Sequence, residues 1–326
     1  MGKCSIHAMI KYLCPSCRIE LKYNQEKLIC PDCGKTHASI VDGMVEFLGC
    51  MDKESFFEKQ AIERLDKFYS GYTPEVFQQV LQQVYLWQMD WANKRVGIAR
   101  KFWWEPHIGR IADKSILEIG CGVNYIVPSF LLNNNRVFAF DICKGSVEFL
   151  CKIIKRIGAP MDKLEVAVGD ATKLELGEQF DIVDINNVLH HIDDKPAVLE
   201  RAHRHLKDDG KLIIVEPNYY YPPRWMIETD TLDPLNFVKD YFVRNDLIEK
   251  GEKAIVFSRL RQQLRDAGFK IEKSFKDPNF LGYFTQYWIK ENTALARTIF
   301  SLDKHLFGKI FPAAVAPFQY IIASKS

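Results

Sequence analysis

From residue 115 onward the chain alternates short apolar runs with stretches of helical period. The runs at 115–119, 136–140, 164–168, 180–185 and 211–216 are dominated by apolar residues, the pattern of strands buried on both faces of a parallel sheet. Between them, Val147, Leu150, Cys151 and Ile154 recur at helical spacing from about Ser146 to a stop at Gly158. Val198, Leu199, Ala202 and Leu206 do the same after a start at Asp194. A third helix opens at Ser258, carries Leu260, Leu264 and Ala267, and stops at Gly268, with strands at 270–274 and 319–323 completing the series. The alternation predicts an α/β fold with an open, mostly parallel sheet and helices on both faces. Residues 219–257 break the pattern and read as an insertion over the active face, bringing Tyr219, Tyr220, Tyr221, Trp225 and Met226.

Upstream, Thr73-Pro74-Glu75 combines a capping hydroxyl, a proline at the first helical position and an acid in the first turn. Val76, Phe77, Val80, Leu81, Val84, Leu86, Trp87 and Trp91 then keep close to helical spacing, and Phe102, Trp103 and Trp104 follow. Residues 51–112 are therefore expected to form an aromatic-rich helical segment, either a layer packed on the next domain or a lid over an apolar pocket.

Composition narrows the class. In 326 residues, 47% apolar and 26% charged, there is room for an enzyme core with attached modules, and general disorder is excluded. Lys+Arg 44 against Asp+Glu 42 leaves +2, which provides no overall field for nucleic acid or anionic lipid. The apolar stretch 313–322, interrupted by Pro317 and Gln319, falls short of the roughly 20 residues of a spanning helix. The first residues have no apolar signal core, so a reducing cytoplasm is expected, and the nine cysteines call for a reason other than disulfides.

Four of the nine form two close pairs, Cys14-Pro15-Ser16-Cys17 and Cys30-Pro31-Asp32-Cys33. Two tight turns that each present two thiolates match the needs of tetrahedral zinc. His37 is read as facing solvent rather than as a ligand, Cys4 and His7 as an unliganded tail, and Cys151 as core packing. Cys50, Cys121 and Cys143 lack any pattern that would mark a catalytic thiol. With Gly34-Lys35-Thr36-His37 and the strand, Asp-Gly, strand ending at 40–48, residues 11–48 resemble the small zinc-ribbon proteins that act as partners of methyltransferases. Residues 1–50 are accordingly expected to be a zinc ribbon with Cys14, Cys17, Cys30 and Cys33 as metal ligands.

Leu117-Glu118-Ile119-Gly120-Cys121-Gly122-Val123-Asn124 places two glycines at the turn that leaves the first core strand. A turn without side chains lets a nucleotide-like group approach the backbone at the carboxyl edge of a parallel sheet. Asp141 ends the second strand, where an acid accepts hydrogen bonds from ribose hydroxyls, and Gly169-Asp170-Ala171 follows the third. A dinucleotide fingerprint requires a third small residue where Tyr125 stands, and Glu118 suits a ligand with a cationic centre better than phosphates. From about residue 113 to the end the chain resembles the class I S-adenosylmethionine-dependent methyltransferases, which implies a seven-stranded Rossmann-like sheet with a final antiparallel strand. Carried over by position, the resemblance implies that Glu118, Gly120 and Gly122 form the first cofactor motif and that Asp141 holds the ribose. It also implies that Asp170 and Ala171 contact adenine and that Asn186 and Asn187 lie beside the methionine part. Asn124 departs from the family's usual third glycine.

Methyl transfer is an in-line displacement, so alignment and exclusion of water dominate, and a general base matters only for an acceptor protonated at working pH. The candidates are His191, placed ahead of His190, and Glu216. The reading is a methyltransferase acting at O, N or C of a small-molecule or lipid-like acceptor, with S-adenosylmethionine and structural zinc as cofactors. The alternatives are a ribosomal or transfer RNA methyltransferase whose ribbon docks RNA, and a non-catalytic cofactor-binding partner protein. The balanced charge of residues 1–50 argues against the RNA reading.

Overall fold

The structure is a computed structural model that describes residues 10–48, 108–122, 126–218, 255–276, 294–302 and 318–326, with a few isolated positions between them. The helices expected within 51–112 and nearly all of the 219–257 insertion lie outside the described residues, so the lid reading is not addressed by them.

In chain order the strands are β1 (Lys22–Asn24), β2 (Lys27–Ile29), β3 (Thr36–Val41), β4 (Met44–Phe47), β5 (Ser115–Ile119), β6 (Arg136–Asp141), β7 (Leu164–Val168), β8 (Phe180–Asn186), β9 (Leu206–Pro217), β10 (Phe269–Lys276) and β11 (Phe318–Lys325). The helices are α1 (Ile126–Leu132), α2 (Lys144–Arg156), α3 (Lys195–His205), α4 (Phe257–Asp266) and α5 (Ala294–Leu302). Among the described residues these eleven strands join one sheet in the order β1-β2-β3-β4-β7-β6-β5-β8-β9-β11-β10. Among the described residues the core span supplies β5–β11, and the sheet continues beyond them to eleven. The added four are the ribbon's, because β4 pairs in parallel with β7, Val45 opposite Ala167 and Glu46 opposite Val168. An open sheet edge presents unpaired N–H and C=O groups, and this contact covers the edge at β7.

Local chemistry explains most boundaries. Asp194 accepts from the Ala197 amide and Pro196 stands in the first turn, which starts α3. Gly158, at φ +65°, ends α2. Asp42 and Gly43 take φ 50° and 85°, the paired left-handed conformation of a type I′ turn, and so close the β3–β4 hairpin. β9 begins earlier than expected. Between Phe180↔Leu206 and Ile182↔Lys211 it inserts extra residues against β8, so Asp208, Asp209 and Gly210 sit in a bulge with apolar strand on either side.

The sheet is buried on both faces. Ile116, Val137, Ala139, Ile182, Ile213 and Val215 pack with α1 and α2. Leu117, Ile119, Phe138, Phe140, Val183 and Ile185 pack with α3, α4 and the ribbon residues Tyr12, Leu28 and Val45. The ribbon is tied further by side chains. The Tyr12 hydroxyl donates to Glu165 at 3.0 Å, the Ile10 amide donates to the same carboxylate at 3.1 Å, and Lys144 pairs with Glu46 at 2.6 Å.

Candidate functional site

Each described candidate for the cofactor falls at a carboxyl end of β5, β6, β7 or β8. Gly120 and Gly122 adopt φ +74° and +45°, which L side chains rarely take. Space excludes a side chain at Gly120 as well, since a Cβ there would lie 1.9 Å from Val188 Cγ2. Asp141 ties two turns together. Its Oδ2 accepts from the Gly122 amide at 2.7 Å and its Oδ1 from the Cys143 amide at 2.8 Å, which holds the glycine turn against the entry to α2. Each carboxylate oxygen carries two lone pairs, so such a group has the capacity to accept from a diol as well as to brace loops.

Asp170 caps the turn Ala171–Lys173, accepting from the Thr172 amide at 2.9 Å and the Thr172 hydroxyl at 2.7 Å. Burial pushes its pKa up, but these bonds and Lys173 outweigh it and hold the carboxyl below the usual range. Asn186 is buried at the end of β8, and its Nδ2 has no hydrogen-bond partner among the described residues. An orphaned donor at a strand end is what a ligand carboxylate or carbonyl would satisfy. Asn187 follows in the left-handed region at φ 56°, its amide bonded to the Val215 carbonyl at 2.8 Å. Glu118 is fully buried in β5, two residues before Gly120 and opposite Asp184 on β8.

The acid–base candidates are organised by Glu216, which is fully buried at the end of β9. Its Oε1 accepts from the Val188 and Leu189 amides at 2.9 and 2.7 Å, and its Oε2 accepts from His190 Nδ1–H at 2.8 Å. Three bonds to one carboxylate fix the loop after β8. The His190 ring is buried, whereas His191 is exposed, with its ring centroid 3.9 Å from that of His190.

The four cysteines come together, their Sγ atoms all within 4.8 Å of one another. The two knuckles are built alike. Arg18 N donates to Cys14 O and Gly34 N to Cys30 O, while Cys14 N donates to Ile19 O and Cys30 N to Lys35 O. Backbone amides of Cys33 and then Asp32 lower the Cys30 thiol to about 7, whereas the Asp32 carboxyl, burial and the neighbouring thiols push the Cys17 thiol up. His37 departs from expectation. It does not point away into solvent but brings Nε2 to 3.3 Å from Cys14 Sγ, because β3 carries it back across the second knuckle. Cys4, His7 and Cys50 lie outside the described residues.

One contribution has no signal in the sequence. The ribbon's Phe47 lies edge-on to Phe140, and a Cβ added at Gly169 would strike both rings, at 2.6 Å for Phe140 and 3.2 Å for Phe47. With Lys144 held by Glu46, the ribbon flanks the two loops that carry the ribose and adenine candidates.

A parallel sheet with a glycine turn, an acid after the second strand and a braced loop after the fourth is an α/β arrangement whose strand ends have the chemistry to receive a nucleotide-like ligand. Residues 117–212 match the model of a family described as a methyltransferase domain. Phosphoethanolamine N-methyltransferase 3 of Arabidopsis thaliana is 27% identical over 162 residues, 48% of this chain and 29% of that one. Ubiquinone biosynthesis O-methyltransferase of Pseudomonas syringae pv. tomato is 24% identical over 109 residues, 33% of this chain and 47% of that one. Both alignments thus span less than half of the relative's length. Magnesium protoporphyrin IX methyltransferase from Synechocystis PCC 6803, a structure with bound SAH, superposes with a TM-score of 0.50 at 14% identity. That match covers 83% of this chain and 97% of the other, and it is a likeness of fold.

Proposed function

We propose that the chain is an S-adenosylmethionine-dependent methyltransferase acting on a small-molecule or lipid-like acceptor. The observation that carries the reading is Asp141, whose carboxylate joins the Gly120–Gly122 turn to the start of α2 within the span of the methyltransferase domain. The orphaned Nδ2 of Asn186 supports it, as a donor suited to the methionine carboxylate. S-adenosylmethionine, when bound, supplies an electrophilic methyl group. Asp141 receives the ribose hydroxyls, Asp170 and Ala171 flank adenine, and Asn186 and Asn187 orient the amino-acid end. Gly120 and Gly122 leave room for backbone approach, and Glu118 lends negative charge beneath the turn. Replacing Asp141 by alanine is expected to weaken S-adenosylmethionine binding by about 1–3 kcal/mol, the cost of losing hydrogen bonds to a charged acceptor, read by calorimetry. Unchanged affinity would refute the assignment.

For the acceptor, Glu216 with His190 acts as the brace and His191 as the group presented to the substrate. The support is geometric: the three bonds of Glu216 stay inside the loop and bury His190, whereas His191 is exposed beside it. An acceptor hydroxyl then transfers its proton to His191 as the methyl group arrives. The expected result for His191→Gln is a kcat about 100-fold lower or more with cofactor affinity unchanged. An unaltered kcat would remove the histidine from the reaction. A small acceptor is supported by the relatives, which are named for phosphoethanolamine and for ubiquinone biosynthesis. No helix among the described residues is long and apolar enough to cross a membrane.

Cys14, Cys17, Cys30 and Cys33 hold a structural zinc ion in this reading, since four thiols on two matched knuckles suit tetrahedral coordination. His37 lies outside that set and donates Nε2–H toward Cys14. The ribbon, residues 1–50, is then a metal-stabilised extension of the sheet of the 113–326 core.

A further inference from the structure

In the ribbon, β3 carries one residue more than the strand it pairs with. Leu28 stands opposite Ala38 and Ile29 opposite Thr36, so His37 is the inserted residue of a β-bulge. Bulges re-aim the side chain they carry. Here the imidazole reaches the cysteine cluster, with Nε2 at 3.3 Å from Cys14 Sγ and 4.0 Å from Cys33 Sγ. Those two sulfurs are themselves 4.0 Å apart. The His37 backbone is held by β4, its carbonyl accepting from the Leu48 amide at 2.8 Å.

Such spacings are those of donors around one ion. Zinc takes thiolate sulfur at about 2.3 Å and imidazole nitrogen at about 2.0–2.1 Å, so two ligands at tetrahedral vertices stand roughly 3.5–3.8 Å apart. The two distances from Nε2 bracket that interval, and the four Sγ atoms lie within 4.8 Å of one another. Five donors from the described residues thus converge where tetrahedral coordination uses four. The four thiols are not equally protected. Cys14 and Cys30 are buried and Cys17 is half-buried, whereas Cys33 is exposed. Beside it, a Cβ added at Gly34 would meet nothing within 4 Å.

We propose that His37 is a reserve ligand of the metal site, taking up coordination through Nε2 when the exposed Cys33 thiolate is lost or modified. This rests on the zinc reading above and concerns which group of the chain fills the fourth position. With four thiolates in place, the neutral ring carries its proton on Nε2 and donates toward Cys14. Once Cys33 is gone, the ring carries that proton on Nδ1 instead, and the Nε2 lone pair becomes the fourth donor. His37 suits the place of Cys33 because it follows four residues later on the same knuckle, within reach of both Cys33 and Cys14. Three sulfurs and one nitrogen form an ordinary set for structural zinc. The exchange keeps β4 on the β7 edge, so damage to the exposed thiol leaves that edge covered.

The test uses the full chain with zinc and cobalt(II) as probes. The wild type and His37→Gln are each expected to hold one ion per chain with the same visible cobalt spectrum, that of four thiolates. Cys33→Ala is expected to keep one ion, with the cobalt bands moved to shorter wavelength as nitrogen replaces sulfur. Cys33→Ala combined with His37→Gln is expected to bind zinc about 100-fold more weakly than Cys33→Ala alone, read by competition with a chelating dye. Equal affinity in these two variants overturns the reserve ligand and leaves the four-thiol site standing. Loss of metal from His37→Gln alone also overturns it, since the histidine is then a resident ligand. A wild-type protein that binds neither metal overturns the zinc reading and this proposal together. Should Cys33→Ala not fold, stepwise alkylation of the folded wild type decides. Each step joins the methylene carbon of iodoacetamide to a cysteine sulfur as iodide leaves, and mass spectrometry counts the ribbon cysteines modified. Zinc release is expected to lag one modified ribbon thiol behind that of His37→Gln, and coincident release in the two proteins refutes the proposal.

Discussion

Replacing Gly120 by alanine is expected to abolish measurable cofactor binding and to destabilise the fold by about 2–5 kcal/mol. Two costs add. A left-handed backbone at φ +74° is unfavourable for any L residue, by about 1–2 kcal/mol. The new Cβ would also lie 1.9 Å from Val188 Cγ2, a side chain with little freedom to withdraw. Its backbone amide is bonded to Glu216 at 2.9 Å, and that carboxylate also holds Leu189 and His190. Relief by loop movement therefore breaks the brace, and either response closes or distorts the turn where the cofactor approaches. Chemical denaturation and calorimetry measure the two consequences separately. Gly122→Ala makes the useful contrast. Among the described residues its Cβ would come no nearer than 4.0 Å to a neighbour, so the backbone cost is the one expected, about 1–2 kcal/mol. Equal effects at the two glycines would show that the contact with Val188 does not control the turn.

Removal of the metal by a chelator, or the double change Cys14→Ser with Cys30→Ser, is expected to unfold residues 10–48 ahead of the rest and to lower the melting temperature. Small zinc modules draw their folding energy from the ion, because their apolar content is too low to fold them alone. The consequence here reaches further than the ribbon. Loss of β4 exposes the β7 edge, together with the faces of Phe138 and Phe140 that Tyr12 and Phe47 cover. Hydrogen exchange should therefore show early loss of protection in β3, β4 and then β7, with β5 and β8 still protected, and the protein should become prone to aggregation. Metal analysis should find one zinc per chain in the intact protein and in a Cys151→Ser control, and none in the double variant. A metal-free protein with undiminished stability would end the zinc assignment.

The elements of the core were legible because their signals are local. The buried strands leading to Gly120, Asp141 and Asn186 read as short runs dominated by apolar residues, and α3 has its start written in Asp194 and Pro196. The sheet's outer extent was not legible. That β4 would pair with β7 depends on two segments more than a hundred residues apart, each of which reads as an ordinary strand. The same holds at the site. Asp141 was identifiable from its place after the second strand, but that it is held by the amides of Gly122 and Cys143 is a matter of loop geometry. His37 was misread because period alone does not reveal that β3 turns it back toward Cys14.

By itself the sequence determined the period of each element, the two cysteine knuckles and the succession of glycines and acids at strand ends, since each is settled within a few residues of backbone geometry. The tertiary structure alone decided that the ribbon extends the sheet, that Glu216 selects His190 rather than His191, and that Glu118 faces Asp184. These are contacts between distant segments. Their energies come from burial and from hydrogen bonds made only after the sheet has assembled, and no local pattern of residues encodes which partner each group will meet.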